Sequence, residues 1–173
     1  HDNGMLNRLV KKHDPNLMFC HRLDKETSGV LILAKNEKAY RHLSIQFEDR
    51  RVNKTYHAVV KGNANFEEDT PIDLPIRKTA SSKEAFTLVK TLENFRHATL
   101  LQCMILTGRF HQIRIHLASN NLPIIQDSLY GGEELFLSEI KRKFNLSKGK
   151  VESPIIDRIA LHAFSFGYFD ENG

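Results

Sequence analysis

The stretch His21–Gly29 has the sequence HRLDKETSG, and the apolar run Val30–Ala34 follows it directly. The crowded polar residues predict a loop, and the apolar run predicts a strand. An Asp at the start of such a strand can be fixed by backbone amides and by a neighbouring cation, so it can act as a nucleophile or a general base. Arg22 could pair with Asp24 or contact a phosphate. A turn that Asp24 merely caps is the competing interpretation.

A second donor-rich stretch, Thr107–His116, has the sequence TGRFHQIRIH. Gly108 permits a sharp turn from a strand into a helix. The free N–H groups and the positive dipole at the start of that helix suit an anion, either a phosphate or a carboxylate. His111 and Arg114 lie three residues apart and can therefore face the same way. The alternative is a cationic helix whose histidines are satisfied within the core.

The rest of the chain groups its predicted strands into hairpins with helices interspersed, an order that is typical of an α+β fold. Apolar residues at helical spacing predict helices over 36–50, 110–120 and 134–145, and Asn36 is a candidate N-cap for the first. Alternating or β-branched runs predict strands over 54–61, 84–92, 97–106 and 155–169, with a turn near Asn94. Residues 63–82, which contain prolines, acids and serines, predict mostly loop. We expect a single domain over residues 1–173.

The net charge of the chain is +4, from 25 lysines and arginines against 21 acids. Residues 35–61 hold seven of these bases and only three acids, so this stretch alone carries the whole excess. A concentrated positive field suits a polyanion such as RNA, whereas a solvated basic helix face explains the same charge without a partner. No apolar run approaches 18 residues, so the sequence predicts no membrane-spanning segment.

The sequence offers little for disulfide or metal chemistry. Cys20 and Cys103 are too few for a disulfide framework or a metal quartet, and we expect two reduced, buried thiols in a cytosolic protein. His111 and His116 lie five residues apart, which is poor spacing for two ligands on one helix, so we predict no metal site.

Five motifs, taken together, resemble those of the RluA-type pseudouridine synthases. In chain order they are H-R-L-D-x-x-T-S-G (21–29), K-x-Y-x-A-x-V-x-G (54–62), T-G-R-x-H-Q-I-R-x-H (107–116), D-x-x-Y-G (127–131) and L-H-A (161–163). The sequence departs from the family pattern where Gln126 replaces a glycine before Asp127, and where Phe110 is bulkier than the usual residue. The family's opening K-P-x-G strand is missing and the last strand is incomplete, so we expect a catalytic domain truncated at both ends.

The resemblance implies a mixed, mainly antiparallel sheet flanked by helices, which is the pseudouridine synthase fold. It also implies an enzyme that isomerises uridine in ribosomal or transfer RNA to pseudouridine, with RNA as its partner and no cofactor. Members of the family break the N-glycosidic bond, turn the uracil and form a C–C bond through C5, so no redox step occurs. We further expect a monomeric, cytoplasmic protein that does not associate with membranes.

The resemblance also implies roles for particular residues. Asp24 would be the essential carboxylate, either as a nucleophile at the sugar or as a base, and Arg114 would pair with it. Tyr56 would pack against the target base. Because the target uridine must leave its stack, Arg22 would fill the vacated space, and Leu161 would line the apolar wall of the base pocket. The remaining candidates for substrate binding are Arg109, His111 and Gln112.

Two other functions fit parts of the sequence. His42-Leu43-Ser44 and His97-Ala98-Thr99 each match an H-x-[S/T] pattern, and two such motifs on facing strands would make a two-histidine RNA phosphoesterase. The same fold and basic face could also form a non-catalytic RNA-binding module. The synthase hypothesis requires that Asp24, Tyr56 and Arg114 converge in one cleft.

Overall fold

The computed structural model describes residues 4–77 and 81–170. The helices are α1 (Gly4–His13), α2 (Glu37–Glu48), α3 (Gln112–Ser119) and α4 (Leu137–Ile140), and Ser128–Tyr130 form a short 3₁₀ helix. The strands are β1 (Met18–Phe19), β2 (Ser28–Gly29), β3 (Leu33–Ala34), β4 (Asn53–Lys61), β5 (Thr70–Asp73), β6 (Ile76–Arg77), β7 (Ser82–Lys83), β8 (Phe86–Asn94), β9 (Ala98–Ile105) and β10 (Leu161–Gly167).

In the described part of the chain, six strands form one mixed sheet in the order β2-β10-β4-β9-β8-β5. The contact between β2 and β10 is parallel, whereas the contacts between the other neighbours are antiparallel. The pairs β1–β3 and β6–β7 lie outside this sheet. The predicted α+β class, with a mainly antiparallel sheet flanked by helices, is therefore confirmed.

The central strands β4 and β9 carry the core, because their buried residues alternate with half-exposed ones. Ala58 and Val60 of β4, and Leu101 and Cys103 of β9, are all 0 % exposed. Side chains two residues apart in a strand share a face of the sheet, so these residues form one apolar surface. Leu117 of α3 belongs to the same buried cluster. The strand predicted over 54–61 is confirmed.

The helix predicted over 36–50 forms as α2, and local chemistry sets where it begins. The Asn36 side chain accepts a hydrogen bond from the backbone N–H of Ala39 at 2.9 Å, which satisfies a donor that the start of a helix leaves free. Gln46 is 1 % exposed and exchanges two hydrogen bonds of 2.8 Å with the backbone of Phe169. This pair ties the segment after β10 to α2. The helix predicted over 110–120 also forms, as α3. The strands predicted over 84–92 and 97–106 form the hairpin β8–β9.

Residues 63–82 are mostly loop where the structure describes them, as predicted, but they also contain β5 and β6; residues 78–80 lie outside the described part of the chain. Pro71 is tolerated in β5 because β5 is an edge strand. Other sequence predictions are wrong in extent. Of the helix predicted over 134–145, only the single turn α4 forms. Leu137 and Ile140 are each 42 % exposed, so this segment buries too little apolar surface to stabilise a longer helix. The apolar run 30–34 forms a strand only at β3 within the described ranges, and the strand predicted over 155–169 is confined to β10.

The parallel contact between β2 and β10 depends on Gly29. This residue has a φ of +118°, and a Cβ built on it would lie 2.2 Å from the carbonyl oxygen of Ala163. Glycine is therefore needed both for the backbone angle and for the close approach. The neighbouring Ser28 hydroxyl hydrogen-bonds Nδ1 of His162 at 2.7 Å. Together these contacts hold the end of the Asp24 loop on the sheet.

Gly29→Ala is expected to lower the free energy of unfolding by about 3 kcal/mol, because left-handed strain and overlap with Ala163 act together. Gly62→Ala is the matched control, since Gly62 also has a positive φ (+84°) but nothing lies within 4 Å of its Cβ position. The control should lose only the strain energy of about 1–2 kcal/mol. Urea unfolding followed by circular dichroism measures both variants. If both variants lose the same free energy of unfolding, the close contact between Gly29 and Ala163 has no role in stability.

Both cysteines are free thiols, as predicted, with Cys103 buried and Cys20 partly buried. Burial raises the pKa of Cys103 to about 12, so this thiol stays protonated. Within residues 4–77 and 81–170, no helix is both long enough and apolar enough to cross a membrane.

His116 is a fully buried residue of α3. Its Nε2 lies 3.0 Å from the carbonyl oxygen of Leu74, so Nε2 carries the proton and donates it, while Nδ1 has no partner among the described residues. Burial lowers the pKa of His116. The unfolded chain therefore binds a proton that the folded protein does not, and stability is lost as pH falls below the unfolded pKa of about 6.5.

We expect the free energy of unfolding to decrease between about pH 7 and pH 5 for this reason. His116→Gln, which keeps a donor for Leu74, should make this decrease shallower. His13→Gln, at an exposed position, should leave it unchanged. Urea unfolding at several pH values measures how the free energy of unfolding depends on pH. If this free energy falls equally with pH in His116→Gln and in the parent protein, the pH dependence does not come from His116.

Candidate active site

A cleft of about 390 Å³ opens between the loop before β2 and the turn before α3. Asp24, Tyr56 and Arg114 all line it, so the three residues converge as the synthase hypothesis requires. The same cleft is lined by the other candidates from the sequence, which are Arg22, Arg109, His111, Gln112 and Leu161. The structure thus brings all eight together, and their chemical roles stay predictions.

Asp24 lies in a tight turn of the loop before β2. The backbone N–H of Thr27 donates to the carbonyl oxygen of Asp24 at 3.0 Å and closes the turn. Among residues 4–77 and 81–170, no group hydrogen-bonds or ion-pairs with the Asp24 carboxylate, which therefore caps nothing. The Thr27 hydroxyl of the same turn is also buried without a partner in these ranges. The carboxylate of Asp24 is therefore left for a ligand in the cleft that Asp24 lines.

Tyr56 projects from β4 into the cleft, half-buried. Burial, and to a smaller extent the negative charge of Asp24, raises the pKa of Tyr56 to about 12, so the phenol stays protonated at neutral pH. Leu161, on the adjacent strand β10, is 3 % exposed and adds an apolar wall. An aromatic ring and an apolar wall beside a carboxylate suit a flat nucleobase.

The predicted pairing of Arg114 with Asp24 is wrong, because Arg114 pairs with Asp127 instead. Its Nε and Nη2 donate to the two carboxylate oxygens of Asp127, each at 2.7 Å. Arg114 is 7 % exposed and Asp127 is 1 % exposed, so the pair is a buried, bidentate ion pair. Although burial alone would lower it, the hydrogen bonds and charge of Asp127 raise the pKa of Arg114, and Asp24 adds a smaller effect. Arg114 thus acts on Asp24 through its charge and not through a hydrogen bond.

His111 completes this network at the start of α3. Nη1 of Arg114 can only donate, and it lies 3.1 Å from Nε2 of His111. The proton of the neutral ring is therefore on Nδ1, which donates to the hydroxyl oxygen of Tyr130 at 3.0 Å. Burial and then the nearby Arg114 charge lower the pKa of His111, which favours this neutral form. Arg114 also lies over the Tyr130 ring, 4.9 Å from its centroid.

Gln112 holds the turn before α3 in shape. Its Oε1 accepts from the Thr107 hydroxyl (2.7 Å) and from the backbone N–H of Arg109 (3.0 Å), while its Nε2 donates to the backbone of Phe86 (2.8 Å) and to Thr87 (3.0 Å). These bonds occupy all four hydrogen-bonding positions of the amide. Any contact of Gln112 with a ligand would therefore have to be apolar, and its geometry is that of a positioning residue.

The charges around the cleft suit an anionic ligand. Arg22, Lys54, Arg109 and Arg114 line it, against the single carboxylate of Asp24. In the two described ranges, no group of three or more His, Cys, Asp or Glu residues is placed to hold a metal ion. The arrangement combines a positive field for a polyanion with one carboxylate among the lining residues.

The family model for RNA pseudouridylate synthase matches residues 3–119. The chain belongs to the RNA pseudouridylate synthase family. It is 44 % identical over 130 residues to ribosomal large subunit pseudouridine synthase D of Borreliella burgdorferi, covering 69 % of this chain and 40 % of that protein. It is 36 % identical over 165 residues to ribosomal large subunit pseudouridine synthase C of Vibrio parahaemolyticus, covering 90 % and 48 % respectively. The chain thus spans about half the length of the curated relatives that it matches.

Solved structures of the RNA pseudouridylate synthase family share the fold. The human RNA pseudouridylate synthase domain containing 1 superposes with a TM-score of 0.73 at 26 % identity, over 93 % of this chain and 67 % of that one. The human RNA pseudouridylate synthase domain containing 4 superposes with a TM-score of 0.70 at 25 % identity, over 92 % of this chain and 71 % of that one. The RluA-type resemblance and the fold that it implied are confirmed.

Asp127 is the site residue that sequence reasoning missed, although its D-x-x-Y-G motif of the pseudouridylate synthase family was visible. Gln126 replaces the usual glycine there and has a φ of +67°, a region where glycine is favoured. Its amide donates to the carbonyl oxygen of Ile156 at 2.6 Å, which offsets the strain. Gly132 comes directly after this motif, and a Cβ atom at that position would lie 1.8 Å from the carbonyl oxygen of Ile124. The motif thus marks a tight loop that buries Asp127 under Arg114.

The bases of the stretch 35–61 differ in their surroundings in this family member. Ion pairs with acids take up several of its bases: Arg41 with Glu37 at 2.7 Å, Arg51 with Asp49 at 3.1 Å, and Lys61 with both Glu133 and Glu139 at 2.9 Å. Lys54, in contrast, lines the cleft. Position in the fold, more than the local excess of charge, decides which of these bases can meet a ligand.

Proposed function

We propose that the chain is the catalytic part of an enzyme that isomerises uridine in RNA to pseudouridine. The bond between N1 of uracil and C1′ of ribose breaks, the uracil turns, and a bond forms between C5 and C1′. C5 loses its proton and N1 gains one, so atoms and electrons balance without a cofactor. We also propose that residues 1–173 act as one domain.

The observation that carries this proposal is the convergence of all eight candidate residues on one cleft. Asp24 is the essential carboxylate, and both chemical routes, attack at the sugar or proton abstraction, need it ionised. The positive charge of Arg114 acts on this carboxylate, and the Asp127 pair fixes where the guanidinium lies. Tyr56 and Leu161 hold the uracil between a ring and an apolar wall. Arg22 is exposed at the rim and takes the space that the flipped uridine leaves.

RNA is the proposed partner, with ribosomal or transfer RNA as the substrate. The names of the bacterial relatives refer to the large ribosomal subunit, which favours ribosomal RNA. The cationic lining of the cleft supports a polyanionic substrate.

The phosphoesterase hypothesis gains no support from the structure. His42 lies on α2, where its Nε2 is 2.9 Å from the carbonyl oxygen of Phe169. His97 lies just before β9, and neither histidine lines the cleft that holds Asp24. The two residues therefore do not form a pair of facing strand histidines.

The test is release of tritium from RNA labelled at C5 of uracil, with nucleoside analysis for pseudouridine. We expect release from the parent chain and none from Asp24→Asn. A His42→Ala/His97→Ala variant should retain the activity. Release that survives Asp24→Asn would overturn the proposal. RNA binding without release would instead support the non-catalytic module.

A further inference from the structure

A second cavity of about 340 Å³ adjoins the candidate active site. It shares Phe47, Lys54, Gly108 and Arg109 with the first cleft, so the two cavities adjoin at these residues. Its remaining walls come from the end of α2, the segment after α2 and the residues that follow β9, namely Glu48, Arg50, Val52, Leu106 and Thr107. None of the residues that form only this second cavity belongs to the eight candidates from the sequence.

Lys54 is the group that points to a ligand. It projects from β4 at the junction of the two cavities, with its ammonium 5.7 Å from the centroid of the Phe47 ring and close to Gly108. In the described part of the chain, this ammonium has no hydrogen-bond acceptor and no carboxylate partner. Burial lowers the pKa of Lys54, which reflects the cost of removing a cation from water without a compensating anion.

Two arginines add to this charge. Arg50 lines only the second cavity, and its guanidinium has no partner in the described ranges. Arg109 donates through Nε to the carbonyl oxygen of Glu84 at 2.8 Å, which leaves its terminal nitrogens for other acceptors. Glu48 is the one carboxylate among the lining residues. Three cations around one small cavity, with a single acid, match the charge and the hydrogen-bonding needs of a phosphate group.

Arg50 also occupies an unusual backbone position. It follows α2 with a φ of +56°, where glycine is the favoured residue after a helix. A glycine there would relieve about 1 kcal/mol of strain, and the arginine instead supplies a cation to the cavity wall. This observation supports a use for the side chain beyond ending the helix.

Resting on the proposed function, we infer that the second cavity binds the phosphodiester next to the target uridine, with Lys54 and Arg50 as its ligands. A uridine held in the first cleft is still joined to the RNA chain on both sides. The second cavity adjoins that cleft and is lined by cations, so it offers a place for the backbone on one side of the uridine. This contact would fix the register of the flipped nucleotide, because phosphate contacts position a nucleic acid without reading its sequence.

The experiment measures binding of a ten-residue single-stranded oligouridine by fluorescence anisotropy over a series of salt concentrations. For single strands, the slope of log K against log salt changes by about 0.7 for each phosphate contact. Lys54→Met and Arg50→Gln are each expected to make the slope shallower by about this amount, with binding about tenfold weaker at low salt. Lys54→Arg should restore the slope, because it keeps the charge.

Arg51→Gln is the matched control, since Arg51 is the neighbour of Arg50 but pairs with Asp49 and lines neither cavity. It should leave the slope unchanged. Urea unfolding of each variant separates loss of binding from loss of fold. An unchanged slope in Lys54→Met and Arg50→Gln, an equal change in Arg51→Gln, or no binding at low salt would overturn the inference.

Tritium release by the same proteins keeps this inference separate from the proposed function. If the variants bind oligouridine with shallower salt slopes but the parent chain releases no tritium, the phosphate site is retained and the proposed synthase activity is overturned. Normal release with unchanged slopes would retain the synthase and overturn the phosphate site.

Discussion

Asp24→Asn is expected to abolish uridine isomerisation while leaving the protein folded. The Asp24 carboxylate makes no hydrogen bond or ion pair with the described residues, so an amide in its place removes no native contact. An amide cannot attack a sugar carbon, and it cannot accept a proton at neutral pH. The two routes predict different losses, since general-base catalysis contributes about 10²–10⁴-fold, whereas removal of a nucleophile costs up to about 10⁶-fold.

Single-turnover tritium release measures this loss, and urea unfolding measures the stability of the same variant. Asp69→Asn is the matched control, because Asp69 is exposed and lies outside the cleft. We expect the control to behave as the parent chain in both measurements. A loss of more than about 1 kcal/mol of stability in Asp24→Asn would contradict the unpaired carboxylate, because surface changes normally stay within about 0.5 kcal/mol.

The parts of the fold that the sequence predicts well are those with a local cause. α2 begins where the Asn36 side chain caps it, and β4 shows the period of two that one buried face requires. The convergence on one cleft was also predictable, since five motifs in family order constrain the topology. Each of these predictions rests on a pattern formed by residues that are close to one another in the sequence.

The parts that the sequence does not predict depend on distant partners. Nothing near Arg114 in the chain indicates whether it pairs with Asp24 or with Asp127, because both carboxylates reach it only through the folded sheet and loops. The edge strand β5 forms around Pro71 only because β8 offers a partner. The second cavity joins Arg50, after a helix, to Lys54 on a strand, and the charge count over 35–61 does not separate these two from Arg51.

The buried Arg114–Asp127 pair supports both the fold and the site. Arg114→Met would leave the Asp127 carboxylate, 1 % exposed, without its cation. Breaking a buried ion pair by removing one partner costs about 3–5 kcal/mol, because an uncompensated charge remains in the interior. We expect a loss of that size in urea unfolding. The same change removes the hydrogen bond that orients His111 and the positive charge near Asp24, so isomerisation should also be lost.

The double variant Arg114→Met/Asp127→Leu separates these two roles. Replacing both charges with apolar side chains removes the stranded carboxylate, and such replacements are often neutral or stabilising. The double variant should therefore recover most of the stability that Arg114→Met loses. Tritium release should stay absent, because no cation then acts on Asp24 from this position. Recovery of release together with stability would mean that Arg114 serves the fold alone, and a single variant as stable as the parent chain would contradict the buried pair itself.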